Sequence, residues 1–87
     1  SISGDDVTKG KPNPEIFLQA AKQIDIKPCD CLVIEDATNG VIAAKSASMK
    51  CIGLKNPNSG NQDLSKADLI IKNFNELNLD IIKKLFD

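Results

Sequence analysis

The placement of short apolar runs constrains this chain more than any other feature. Leu32-Val33-Ile34, Cys51-Ile52-Gly53-Leu54 and Leu69-Ile70-Ile71 are brief and bounded by turn residues, and the stretches beside them carry apolar residues at helical spacing. Runs of this length suit strands better than helices, and their lack of polar alternation suits strands covered on both faces. The order helix, strand, helix, strand, loop, strand, helix is the alternation that builds a parallel sheet flanked by helices, so the expected class is α/β, Rossmann-like. In such sheets ligands bind outside the carboxyl ends of the strands. Residues that directly follow an apolar run are therefore the first candidates for chemistry.

Local signals place the elements. Residues 1–13, SISGDDVTKGKPN, are rich in Gly, Ser, Asp and Pro and read as a loop, with the end of a strand at Ser1 to Ser3. Asn13, Pro14 and Glu15 form a helix start: a capping acceptor, a proline at the first helical position and an acid in the first turn. Phe17, Ala20, Ala21 and Ile24 give that helix one apolar face, and it is expected to end near Asp25. A second helix is expected over Gly40 to Ser48, with Val41, Ala44 and Ala47 inward, and a short one over Asp63 to Lys66. Leu79, Ile82, Leu85 and Phe86 mark the core face of a closing helix. The loop NPNSGNQ, residues 56–62, is a candidate border of a substrate channel, although its composition alone does not demonstrate it.

Composition narrows the function. Eighty-seven residues make one small domain or part of a larger one. A formal charge of −1, three Phe and no Trp or Tyr leave neither a basic footprint nor a stacking platform, so nucleic acid is not an expected partner. No run approaches the roughly 20 apolar residues of a membrane span and nothing at the start reads as a signal peptide, so no membrane partner and a cytoplasmic location are expected. Cys29, Cys31 and Cys51 lack Cys-x-x-Cys spacing, and no histidine is present to complete a zinc site, which favours reduced structural thiols over a thiol metal or redox site. The lack of histidine also removes every His-dependent base. Chemistry here falls to carboxylates, lysine and backbone amides.

Two motifs carry that chemistry. Glu35 and Asp36 stand side by side at the end of an apolar run, where like charges disfavour each other's ionisation unless a cation or donors lie nearby. Such a pair is often only a polar strand exit or a helix N-terminal acid. The functional alternative is a magnesium site, since Mg²⁺ takes oxygen ligands and often uses one or two carboxylates together with substrate phosphate. Asp36 is the better direct ligand, and Glu35 either ligates or orients a bound water. The second motif is GKPNP, residues 10–14, in which Gly10 loosens the backbone and Pro12 restricts Lys11 to extended conformations. A lysine in a loop is usually a solvated charge, but a constrained one suits an anion that must be met without reorganisation. Together the motifs supply what magnesium-assisted phosphoryl transfer needs.

With these residues in view, GKPNPEIF, LVIEDATNGVIAAKSA and MKCIGL resemble the carboxyl-terminal half of the core domain of haloacid dehalogenase-like (HAD) hydrolases, in the branch containing phosphoglycolate phosphatase and β-phosphoglucomutase. The resemblance spans nearly the whole chain. It implies that Lys11 stabilises phosphate and an aspartyl intermediate, that Glu35 and Asp36 bind Mg²⁺, and that Asn39 supports them by a hydrogen bond. The family's nucleophile lies in an Asp-x-Asp segment, which these residues do not contain, and its substrate-selecting cap is also missing. Asp5 and Asp6 fall in a loop and do not replace it. Ser48 stands where the family usually has Gly, which bears on the helix end and not on the site.

Residues 1–87 are accordingly expected to be the carboxyl-terminal portion of such a core, a fragment without its first strands and cap. Alone it is expected to be inactive, and to be marginally stable, self-associating or dependent on an amino-terminal part. The parent would be a Mg²⁺-dependent phosphatase of a small phosphorylated metabolite acting through a phospho-aspartyl intermediate. The rival readings are a sugar-phosphate mutase of the β-phosphoglucomutase type and a non-catalytic α/β interaction module.

Overall fold

The computed structural model describes residues 10 and 12–87. The strand end expected at Ser1 to Ser3, the aspartates Asp5 and Asp6, and Lys11 lie outside the described residues. The elements follow in the order α1 (Glu15–Gln23), β1 (Leu32–Glu35), α2 (Thr38–Ser46), β2 (Lys50–Leu54), β3 (Leu69–Ile71) and α3 (Leu79–Leu85). Short 3-10 turns occupy Pro28–Asp30, Pro57–Ser59 and Phe74–Glu76. The strands form one parallel sheet in the order β1-β2-β3, with Glu35 opposite Gly53 and Leu54 opposite Ile71. The α/β reading of the sequence is thus the observed fold.

Helix ends account for much of the local geometry. Pro14 occupies the cap position and not the first helical one expected, and the Asn13 side chain before it accepts the Glu15 N–H at 2.9 Å, which satisfies one of the donors that a helix start leaves open. At the other end of α1, Asp25 takes a left-handed φ of 56° and the Ile26 N–H returns to the Ala21 carbonyl at 3.1 Å. Helix α2 ends the same way: Ser48 has φ 63° and the Met49 N–H reaches the Ala44 carbonyl at 3.1 Å. Both are Schellman closures built without glycine.

The core lies between the helices and the middle strand. Val41, Ala44, Cys51 and Leu64 form one buried cluster, and Ala21, Ala47 and Met49 another, with Phe17 and Val33 packed against both. The small residues of α2 let it lie close on the sheet, and Gly53 admits Leu64 and Ala67, whose Cβ atoms lie 3.0 and 3.3 Å from where a side chain at 53 would begin. A second support comes from Asp68, whose Oδ2 accepts from the Cys51 N–H at 2.7 Å and from Lys45 Nζ at 2.8 Å. Partial burial would raise the Asp68 pKa, but these contacts outweigh it and hold the carboxyl below its ordinary value. Burial, with the negative charges of Glu35 and Asp68, pushes the Cys51 thiol up to about 11, so it is a neutral core group. All three cysteines are free thiols.

Three sequence expectations are corrected. Residues 63–66 form no helix, because the Asp63 side chain accepts the Ser65 N–H at 2.9 Å and closes a turn instead. Strand β1 is not covered on both faces: Ile34 is 41% exposed, and among the described residues β1 pairs with β2 alone. The apolar stripe of α3 is real, yet the helix has no buried residue and Leu79 is 70% exposed. Periodicity reveals a face but not whether a partner covers it.

Candidate active site

The parallel sheet brings its strand exits to one edge. Strand β1 delivers Glu35 and then Asp36 there, and α2 begins two residues later at Thr38. The Glu35 carboxylate lies over the first turn of α2, in the space a side chain at Gly40 would need, with its Cγ 2.8 Å from that Cβ position. An acid over a helix start is favoured by the exposed amides and the helix dipole. Glycine at 40 is what lets the carboxylate lie so close.

Asp36 is held from the other side. Its Oδ2 accepts from Ser59 Oγ at 2.6 Å and from Asn56 Nδ2 at 3.2 Å. Both donors come from the loop after β2, where Asn56 also accepts the Asn58 N–H at 3.0 Å and so fixes its own amide. The loop is tied to α2 in turn. Gln62 accepts the Thr38 N–H at 2.9 Å and donates to the Ser59 carbonyl at 3.0 Å, while Thr38 Oγ1 accepts the Asp63 N–H at 2.9 Å. A continuous chain of hydrogen bonds therefore runs from the start of α2 through Gln62 and Ser59 to Asp36. It orients one carboxylate without any histidine or arginine.

Asp36 opens onto a cavity of about 420 Å³ whose walls include Lys55, Asn56, Gln62, Leu64 and Lys72. This volume is within the range of small-molecule sites, roughly 300–1,000 Å³. The carboxylate oxygens of Asp36 and Glu35 are hard ligands, which suit a hard cation rather than zinc. Among the described residues no group of three or more His, Cys, Asp and Glu side chains gathers to hold a metal. A bound Mg²⁺ would take its remaining ligands from water and phosphate, as that ion commonly does.

Of the residues singled out from sequence, the structure brings Glu35 and Asp36 together at the carboxyl end of β1. Asn39 is exposed in the first turn of α2, and among the described residues its side chain makes no hydrogen bond to either carboxylate. Among the described residues Asn56 and Ser59 donate to Asp36. The sequence holds a faint sign of them in the Asn and Ser density of the 56–62 loop, but that density names no acceptor.

The acidic pair thus stands at the carboxyl end of a parallel strand, the side of an α/β sheet on which ligands bind. The family is shown directly: residues 1–48 match the model of haloacid dehalogenase-like hydrolases, and the chain belongs to that family. It is 40% identical over 80 residues to the putative phosphatase YhcW of Bacillus subtilis, covering 92% of this chain and 36% of that protein. It is 41% identical over 76 residues to β-phosphoglucomutase of the same organism, covering 87% of this chain and 32% of the enzyme. The crystal structure of β-phosphoglucomutase from Clostridium difficile superimposes with a TM-score of 0.82 at 34% identity, covering 97% of this chain and 36% of that one. The chain thus spans about a third of the length of these relatives. Among the described residues no helix is long and apolar enough to cross a membrane.

Proposed function

We propose that this chain supplies the metal- and phosphate-binding part of a Mg²⁺-dependent phosphatase for a small phosphorylated metabolite. The observation that carries the proposal is the clamped Asp36, set beside Glu35 at the carboxyl end of β1 and open to a substrate-sized cavity. Relatives named as phosphatases support the hydrolytic reading.

The residues divide the work. Asp36 would hold Mg²⁺, Glu35 would either hold it or orient a water beside it, and Ser59 and Asn56 fix the Asp36 carboxylate so that little reorganisation is needed. The metal would neutralise charge on the phosphoryl oxygens. Lys11, outside the described residues, is assigned to the same oxygens on the strength of its GKPNP setting. The nucleophile comes from outside these residues: an aspartate attacks phosphorus, the P–O ester bond breaks, and a second aspartate gives its proton to the leaving alcohol. Water, giving its proton to the second aspartate, then cleaves the phospho-aspartyl anhydride, which releases phosphate and restores the carboxylate. On this reading residues 1–87 are one portion of a longer core, inactive alone, in a cytoplasmic enzyme. A sugar-phosphate mutase would use the same groups and is the second reading, favoured by the likeness to β-phosphoglucomutases.

The test begins with the coding sequence upstream of Ser1, where an Asp-x-Asp segment on an expected strand is required. The complete polypeptide should then release phosphate in a Mg²⁺-dependent way, and Asp36→Asn should lower that rate by at least about a hundredfold. Release that ignores Mg²⁺ or survives Asp36→Asn would refute the assignment.

A further inference from the structure

We propose that Lys55 and Lys72 form a second anion-binding subsite, which selects substrates carrying another anionic group besides the phosphoryl group that reacts. The proposal rests on the phosphoryl-transfer reading and names the substrate class that the same cavity would take.

The lysines are brought together by register. Leu54 lies opposite Ile71 in the parallel pairing of β2 with β3, and the Lys55 N–H continues the ladder to the Ile71 carbonyl at 2.8 Å. Lys55 and Lys72 are therefore the next residues out on neighbouring strands, and both line the cavity that Asp36 opens onto. They also line the adjoining hollow of about 250 Å³, with Pro57 and Phe74. Two ammonium groups at neighbouring strand exits repel unless an anion lies between them. Among the described residues neither is in an ion pair, whereas Lys45 is paired with Asp68 at 2.8 Å.

The two acids four residues from Lys72 do not fill the role, Asp68 being paired with Lys45. Glu76 turns its Oε2 to the Lys72 N–H at 2.6 Å and the Asn73 N–H at 2.8 Å, which fixes the backbone at the exit of β3. That bracing sets where the Lys72 side chain starts. The cavity wall thus carries the Asp36 carboxylate together with two lysines. A ligand with two anionic groups matches this only if a cation is held at Asp36, which is what the phosphatase reading requires. A neutral sugar bearing one phosphate leaves the lysines unused.

The test compares fructose 1,6-bisphosphate with fructose 6-phosphate by calorimetry on the complete polypeptide, at fixed Mg²⁺ and ionic strength. The native protein should prefer the bisphosphate by at least about fivefold, the effect of partly exposed charge contacts. Lys55→Ala with Lys72→Ala should remove the preference and leave the monophosphate affinity unchanged, while Lys55→Arg with Lys72→Arg should retain it. Equal binding of the two sugars by the native protein, a preference that survives the alanine pair, or failure to bind either sugar would overturn the subsite. Mg²⁺-dependent phosphate release from p-nitrophenyl phosphate, lost in Asp36→Asn, reports on the phosphatase reading separately, because it needs no second anion.

Discussion

Replacing Gly40 with alanine should weaken the metal site while barely changing stability. Alanine gains about 0.8–1.0 kcal/mol over glycine in a helix interior, and up to that much in the first turn, where Gly40 lies. The new Cβ, however, occupies the space of the Glu35 carboxylate, whose Cγ lies 2.8 Å from that position. Driving this side chain into another or a distorted rotamer costs roughly 0.5–1.5 kcal/mol, so the opposing effects nearly cancel. The carboxylate is nonetheless displaced from beside Asp36. Losses of this kind around a metal typically cost about 10- to 100-fold in affinity. Urea unfolding and Mg²⁺ calorimetry on the same samples measure both quantities. The decisive comparison is the Glu35→Ala background, where Gly40→Ala has no carboxylate to displace and should stabilise by up to about 0.8–1.0 kcal/mol. An unchanged Mg²⁺ affinity in Gly40→Ala, or equal stabilisation with and without Glu35, would refute the argument.

Other substitutions probe the supports. Ser48→Gly should stabilise by about 0.5–1 kcal/mol, because the left-handed cost of roughly 1–2 kcal/mol exceeds the added freedom of glycine in the unfolded chain; the urea midpoint should rise without a change in slope. Ser59→Ala removes the 2.6 Å donor to Asp36 and should weaken Mg²⁺ binding about tenfold by calorimetry, with little change in melting temperature. Asp68→Ala leaves the Cys51 N–H without its side-chain acceptor and should cost about 1–2 kcal/mol in urea unfolding. Since the folded Asp68 pKa lies below its unfolded value, its contribution is present above about pH 4 and is lost as pH falls through the folded value, so the native and variant curves should converge in acid. Cys51, with its thiol raised to about 11, should resist iodoacetamide at pH 8 while exposed Cys29 reacts; rapid labelling of Cys51 in the native state would contradict its burial.

The sequence by itself determined the element order, the parallel α/β class and the place of the acidic pair. Apolar runs of strand length, Asn13 beside Pro14, and Glu35-Asp36 after Ile34 are all local signals, and backbone geometry reads them without help from distant residues. The short helix expected at residues 63–66 failed because Asp63 bonded to its own backbone, a competition that residue type permits but does not decide. Exposure on β1 and α3 was not legible either, since an apolar pattern records a face and not its cover. Only the tertiary structure decided who holds Asp36. Asn56 and Ser59 lie 20 and 23 residues away and reach it because parallel pairing sets the exits of β1 and β2 side by side. The same register placed Lys55 next to Lys72. Hydrogen bonds and charges act over a few ångströms of space, and in a crossover fold that distance bears no fixed relation to separation along the chain.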